Sequence, residues 1–279
     1  VQLTPAGLIV HKQRSTPDDP SRAILDGIQH LTGGAGQVEV VHGSTVATNA
    51  VLERRGARVA LVATKGFEDV LKIGRQTRPE LYNVFVVPRP PLVEPHLTFG
   101  IAERLDASGA VLEAVVEDDV DQLARVLHDR KVEMVAVCLL HSYANPVHEQ
   151  QVATWLRQSG LEVCTSHEVL PEYREFERWS TTVVNAYVTP LMERYLKTLE
   201  HSLGRLSIMQ SNGGCISAGA ARAQAVRTVL SGPAGGVVGA KAVAEAAGLT
   251  RVIGFDMGGT STDVSLIDGA IARTTDSRV

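Results

Sequence analysis

Apolar positions along this chain alternate between a period near two and a period near 3.6, and that alternation predicts a layered α/β protein. Residues 8–12 read as a short strand, and Ser15-Thr16-Pro17-Asp18-Asp19-Pro20 reads as a turn and a helix start. Ala23, Ile24, Ile28 and Leu31 give that helix one apolar face, and Gly33-Gly34 ends it. A strand over 38–41 runs into His42-Gly43-Ser44-Thr45, a helix follows over 47–55 until Gly56, and 58–63 is the next strand. Residues 74–100 are rich in proline and aromatics without a clear period, which predicts an excursion from the core.

The clearest α/β unit comes next. A turn at Asp106-Ala107-Ser108-Gly109 precedes a helix capped by Asp118 or Asp119, with Val120, Leu123, Val126 and Leu127 as its face. Residues 132–140 form an apolar strand, Asn145-Pro146 starts a helix over 147–158, Gly160 breaks it, and 161–165 is another strand. This order favours parallel pairing. A long helix is expected over 178–203, interrupted near Pro190, then a strand over 206–209 and the turn Ser211-Asn212-Gly213-Gly214. Ser231-Gly232-Pro233-Ala234-Gly235-Gly236 opens a helix rich in small residues, and strands at 252–255 and 263–267 complete the pattern. The expected division is into residues 1–176 and 177–279.

Composition narrows the classes. A chain of 279 residues can bury a sizeable core, and 44% hydrophobic with 21% charged residues is ordinary for a globular protein. A net charge of −4 without a basic stripe argues against nucleic acid as a partner. Cys138, Cys164 and Cys215 have neither zinc-ligand nor redox spacing, which fits a reducing cytoplasm; Cys138, inside an apolar run, reads as a small buried thiol. No apolar run reaches membrane-spanning length, so no membrane is expected.

The chemistry concentrates in Arg251-Val252-Ile253-Gly254-Phe255-Asp256-Met257-Gly258-Gly259-Thr260-Ser261-Thr262-Asp263-Val264-Ser265-Leu266-Ile267. It reads as strand, tight turn, strand. Gly258 and Gly259 permit positive φ and close backbone approach, and successive N–H groups in such a turn form an anion-binding concavity. Thr260 and Thr262 add hydroxyl donors, and Asp256 at the strand end suits Mg²⁺ held through water. An ordinary Gly-Gly hairpin is the alternative; the acid before the glycines, the hydroxyls after them and Asp263 favour phosphate.

Asp256-x-Gly258-Gly259-Thr260-x-Thr262-Asp263 resembles the phosphate hairpin of the superfamily of sugar kinases, heat-shock chaperones and actin. The wider text narrows the resemblance to the hydantoinase A/5-oxoprolinase family. Val41-His42-Gly43-Ser44-Thr45-Val46-Ala47-Thr48-Asn49-Ala50 is similar to its His-Gly-Thr-Thr-x-Ala-Thr-Asn segment, with Ser44 where the family usually has threonine. Met209-Gln210-Ser211-Asn212-Gly213-Gly214 and Ser231-Gly232-Pro233-Ala234-Gly235-Gly236 match two further signatures. Asn185-Ala186-Tyr187-Val188 and Leu139-Leu140-His141-Ser142-Tyr143 are similar as well, so the similarity runs in order along essentially the whole chain.

The resemblance implies an actin-like (ribonuclease H-like) ATPase fold, with mixed sheets flanked by helices in two lobes, the second incomplete. It also implies an ATP- and Mg²⁺-using subunit that phosphorylates and opens a cyclic amide such as a hydantoin, N-methylhydantoin or 5-oxoproline. A hydantoinase B-type partner in a hetero-oligomer would complete the hydrolysis. An acetone/acetophenone carboxylase-type subunit and a non-catalytic scaffold fragment are the alternatives. The family's earlier Asp-x-Gly-Gly-Thr hairpin is not found after Val1, so the sequence is expected to be an internal piece of a longer subunit.

In this reading Asp256 and Asp263 are catalytic, Asp256 organising Mg²⁺, while Gly258, Gly259, Thr260, Thr262, Gly235 and Gly236 hold phosphate. His42, Gly43, Ser44, Thr45 and Asn212 are candidates for the substrate. Each has a plainer role available: Ser44, Thr45 or Thr48 as a helix cap, His42 as a satisfied structural histidine, and the glycines after Ser231 as sites of close helix packing. Arg75-Gln76-Thr77-Arg78-Pro79-Glu80 would meet an acidic substrate or be surface charge. Gly-x-Ser-x-Gly, His-Glu-x-x-His and Walker-type patterns are missing, and His141 with His148 is a weak zinc pair.

Overall fold

The computed structural model describes residues 1–16, 18–34, 38–76, 82–83, 85, 90–257 and 262–272. Two compact units divide the chain: a terminal unit of Val1–Asn49 with Met192–Val279, and a central unit of Ala50–Leu191. This differs from the sequential division at 176. Strand β3 (Val40–His42) pairs in parallel with β10 (Leu206–Met209), which draws the first 49 residues to the C-terminal segment.

The central unit is built on one parallel sheet in the order β5-β4-β8-β9, with β4 Val59–Thr64, β5 Thr98–Ile101, β8 Met134–Cys138 and β9 Val163–Thr165. Every residue of β4 and β8 is buried, as expected for strands covered on both faces. Helix α4 (Glu117–Asp129) packs on α5 (Val147–Gln158), and the short pieces α3 (Val70–Ile73), β6 (Arg104–Leu105), β7 (Val111–Glu113) and α6 (Ser166–Val169) fill the connections. Two helices cross into the terminal unit: α2 (Val46–Leu52) and α7 (Glu175–Leu203).

Several expectations change here. The proline-rich stretch is not wholly an excursion, because its end forms β5 beside β4 and buries Leu97 and Ile101. In α4 the buried stripe is Val120, Leu123, Ala124 and Leu127, the i, i+3, i+4, i+7 set, and Val126 falls on the exposed shoulder. Val116, not Asp118 or Asp119, caps that helix, and both acids sit in its first turn, where the helix dipole favours them. Pro190 does not interrupt α7. The buried Ala186, Val188, Met192, Leu196 and Leu199 hold the helix continuous past the missing N–H.

The terminal unit carries two three-stranded sheets. One runs β11-β10-β3, with β11 Cys215–Ser217 antiparallel to β10; the other runs β12-β13-β14, from Arg251–Met257, Thr262–Asp268 and Ala270–Ile271. Helix α9 (Ser231–Ala246) contacts both sheets, and α8 (Ala218–Ala223) rests on the first. Helix α1 (Pro20–Thr32) starts at Asp19, whose carboxylate accepts from Ser21 N, and ends at the left-handed Gly33. Ahead of it, the strand expected over 8–12 is instead a hairpin of β1 (Gln2–Thr4) and β2 (Gly7–Ile9).

Candidate functional site

Alternation along β12 sorts the hairpin into two faces. Val252, Gly254 and Asp256 turn toward α9: a Cβ added at Gly254 would lie 3.8 Å from Ala240 Cβ, and one at Gly236 would lie 3.8 Å from Asp256 Oδ2. Asp256 stands directly opposite Asp263 in the β12–β13 register, so both carboxylates share that face. Like charges so placed repel across a strand pair, and a cation between them removes the repulsion. Thr262 pairs with Met257 at the start of β13. Gly258, Gly259 and Thr260 lie outside the described residues.

The first turn of α9 supplies the opposite wall. Its N-cap, Leu230, is left-handed (φ 63°) and offers no side-chain cap, which leaves the N–H groups of Ser231 and Gly232, ahead of Pro233, without a capping side chain. Two glycines of this turn are explained by close packing. A Cβ at Gly232 would come 2.9 Å from Thr45 Cγ2, and one at Gly235 would come 2.9 Å from Met209 Sδ.

The His42-Gly43-Ser44-Thr45 loop leaves β3 and is fastened to that same turn. Ser231 Oγ accepts from Ser44 N at 3.2 Å and donates to Ser44 O at 3.0 Å, both residues being buried. Ser44 Oγ accepts at 3.1 Å from the N–H of Val46, the first residue of α2, and Thr48 accepts from Leu230 N at 2.8 Å. His42 Nε2 lies 2.6 Å from the Tyr195 hydroxyl. Burial pushes the His42 pKa down to about 4 and pushes Tyr195 up to about 12, with a hydrogen bond from Ser44 pulling the phenol the other way. His42 is therefore a neutral imidazole across the physiological range.

Thus the structure brings His42, Gly43, Ser44 and Thr45 against the start of α9, and brings Asp256 against Gly236 of that helix. Asn212 sits elsewhere along α9. It lines a cavity of ≈ 430 Å³ with Ser211, Gly213, Val238 and Ser265, and its Oδ1 accepts from Gly214 N within the turn. Sequence reasoning passed over Tyr195, which in a long helical pattern reads only as a core aromatic.

Other candidates resolve into structure. Arg75 pairs with Glu177 at 2.6 Å, while residues 77–80 of that run lie outside the described residues. His148 is bound to the buried Glu103 at 2.6 Å, and among the described residues no group of three potential metal ligands occurs. Glu149 is a buried acceptor for Leu139 N, Ser166 Oγ and both the backbone and the ring of His167, which ties α5 to the ends of β8 and β9. Cys138 and Cys164 are free and buried, and burial raises both thiols, Cys164 to about 12. Among the described residues no helix is long and apolar enough to cross a membrane.

Known proteins share this architecture. Residues 1–160 match the family described as hydantoinase/oxoprolinase N-terminal region, and residues 178–279 match hydantoinase/oxoprolinase. The caprolactamase subunit alpha of Pseudomonas jessenii is 34% identical over 277 residues, which cover 92% of this chain and 40% of that protein. The 5-oxoprolinase 1 of Arabidopsis thaliana is 36% identical over 262 residues, covering 85% and 20% respectively. A nucleotide-free structure of acetone carboxylase, described with ATP-dependent acetone carboxylation, superposes with a TM-score of 0.80 at 29% identity, over 93% of this chain and 41% of that one. The chain spans less than half the length of each of these relatives.

Proposed function

We propose a function from one premise: this chain belongs to the hydantoinase/oxoprolinase family. The reading is an ATP-dependent amidohydrolase subunit that phosphorylates a cyclic amide and opens it with a B-type partner subunit. Named relatives that are subunits or ATP-dependent enzymes support it. The observation that carries it is the opposed Asp256 and Asp263 pair on the hairpin face turned toward the first turns of α9.

An unstrained amide resists water because the nitrogen lone pair is delocalised into the carbonyl. Transfer of the γ-phosphoryl group to the amide oxygen makes that oxygen a leaving group. Water then adds at the carbon, and the C–N bond breaks with the nitrogen leaving as the protonated amine, which opens the ring. A second water hydrolyses the resulting acyl phosphate, giving ADP, phosphate and the ring-opened acid. Such a reaction asks the protein mainly to position groups and neutralise charge. In this reading Gly258, Gly259, Thr260 and Thr262, together with Gly235 and Gly236, hold the phosphates. Asp256 would hold magnesium, which when bound would neutralise phosphate charge; two hard carboxylate donors suit that ion. Asp263 would orient the attacking water, while His42, Gly43, Ser44 and Thr45 would face the ring.

In the full-length protein with its partner, Asp256→Ala is expected to lower amide-stimulated ATP hydrolysis at least ~100-fold with the thermal melt retained. Unchanged turnover removes Asp256 from the mechanism. The likeness to acetone and acetophenone carboxylases favours one second reading, in which the phosphorylated oxygen belongs to an enolate. ATP hydrolysis that requires bicarbonate, without ring opening, selects it.

A further inference from the structure

We propose that Tyr195 is a positioning residue for His42: its hydroxyl donates to Nε2 and holds the neutral ring as the Nδ1–H tautomer. One N–H is thereby left to grip a substrate oxygen. The second half rests on the reading that the His42-Gly43-Ser44-Thr45 loop receives the substrate.

The hydrogen count carries the argument. Tyr195 and His42 lie 2.6 Å apart within the terminal unit, 153 residues apart in sequence. The Tyr195 hydroxyl is the more acidic of the two groups and an imidazole nitrogen is a stronger acceptor than a phenol oxygen, so the phenol is the donor across this contact. A tyrosine hydroxyl has one proton. That proton goes to His42 Nε2. An imidazole that accepts at Nε2 while neutral must carry its proton at Nδ1.

Nδ1 is open. Among the described residues Tyr195 is the hydrogen-bonding partner found for the His42 ring, and Nδ1 is not among the sealed polar atoms that lack one. The ring stands at the end of β3, next to Gly43, where an added Cβ would come 3.4 Å from Ser231 O at the uncapped start of α9. A neutral imidazole with so low a pKa is a poor base near neutrality but keeps its N–H donor. The oxygen it suits is one on which negative charge grows: the amide oxygen as it attacks phosphorus, or the oxyanion formed when water adds.

Long-range ¹H–¹⁵N correlation on ¹⁵N-histidine-labelled chain reads the tautomer directly, with His42 identified by the signals lost in His42→Gln. The expected result is an unprotonated Nε2 and a protonated Nδ1, changing to a mixture in Tyr195→Phe. A protonated Nε2 in the unmodified chain overturns the proposal and needs no variant to fold; an unaltered tautomer in a folded Tyr195→Phe overturns it too. In the full-length protein with its partner, Tyr195→Phe should lower kcat ~10-fold or more with KM little changed. Unchanged kcat beside the expected tautomer overturns the substrate contact. Absence of amide-stimulated ATP hydrolysis in the unmodified protein sinks the functional reading and the substrate contact with it, and leaves the tautomer standing on the spectrum.

Discussion

His42 ends a strand where burial holds its pKa near 4 instead of the usual 6.5, and that makes stability depend on pH. The unfolded chain binds the proton first, so the contribution is complete above about pH 6.5 and is lost as pH falls toward 4. The expected loss is on the order of 3 kcal/mol, read from urea melts at pH 7 and pH 4.5. His42→Gln should flatten that slope; an equal slope in both proteins assigns the loss to other groups. Asp256 makes the converse test. Removing one of two opposed carboxylates should raise stability by about 0.2–1 kcal/mol in EDTA while turnover falls. A variant that loses both stability and turnover would mark Asp256 as structural.

Elements differ in how openly the sequence declared them. The buried, mostly apolar β4 and β8, α1 behind its Asp19 cap, and α5 after Asn145-Pro146 were legible because local pattern and final environment agree. Strand β5 was hidden by its brevity, by Gly100 and by the proline-rich text before it, and β11 by its three residues. The loop from His42 to Thr45 was visible, but its fastening to Ser231 and Tyr195 was not, since each contact joins residues more than 150 positions apart. Glycines show the same divide. Gly56 and Gly239 look alike in sequence, yet a Cβ at Gly56 would fall on the Tyr187 ring and one at Gly239 would meet nothing within 4 Å. Gly56→Ala is therefore expected to cost about 1–3 kcal/mol by overpacking. Gly239→Ala, inside α9, should gain about 0.5–1 kcal/mol from reduced backbone freedom. Differential scanning calorimetry of both variants checks the opposite signs.

At the scale of the molecule, two features matter. The face of the β12–β13 hairpin turned away from α9 presents Ile253, Phe255, Met257, Val264 and Leu266, each 65–71% exposed. So contiguous an apolar patch is unusual on an isolated monomer. This chain handled alone should associate with rising concentration, and Phe255→Thr should weaken that association in sedimentation velocity; equal sedimentation of both proteins would dismiss the patch. The parallel pairing of β3 with β10 reaches further. On a ribosome the partner of Val40–His42 is made roughly 160 residues later, a delay of roughly 8 to 30 s at ordinary translation speed. Through that interval the nascent β3 must wait unpaired while the whole central unit emerges, so the loop that carries His42 can be assembled only after β10 has left the exit tunnel.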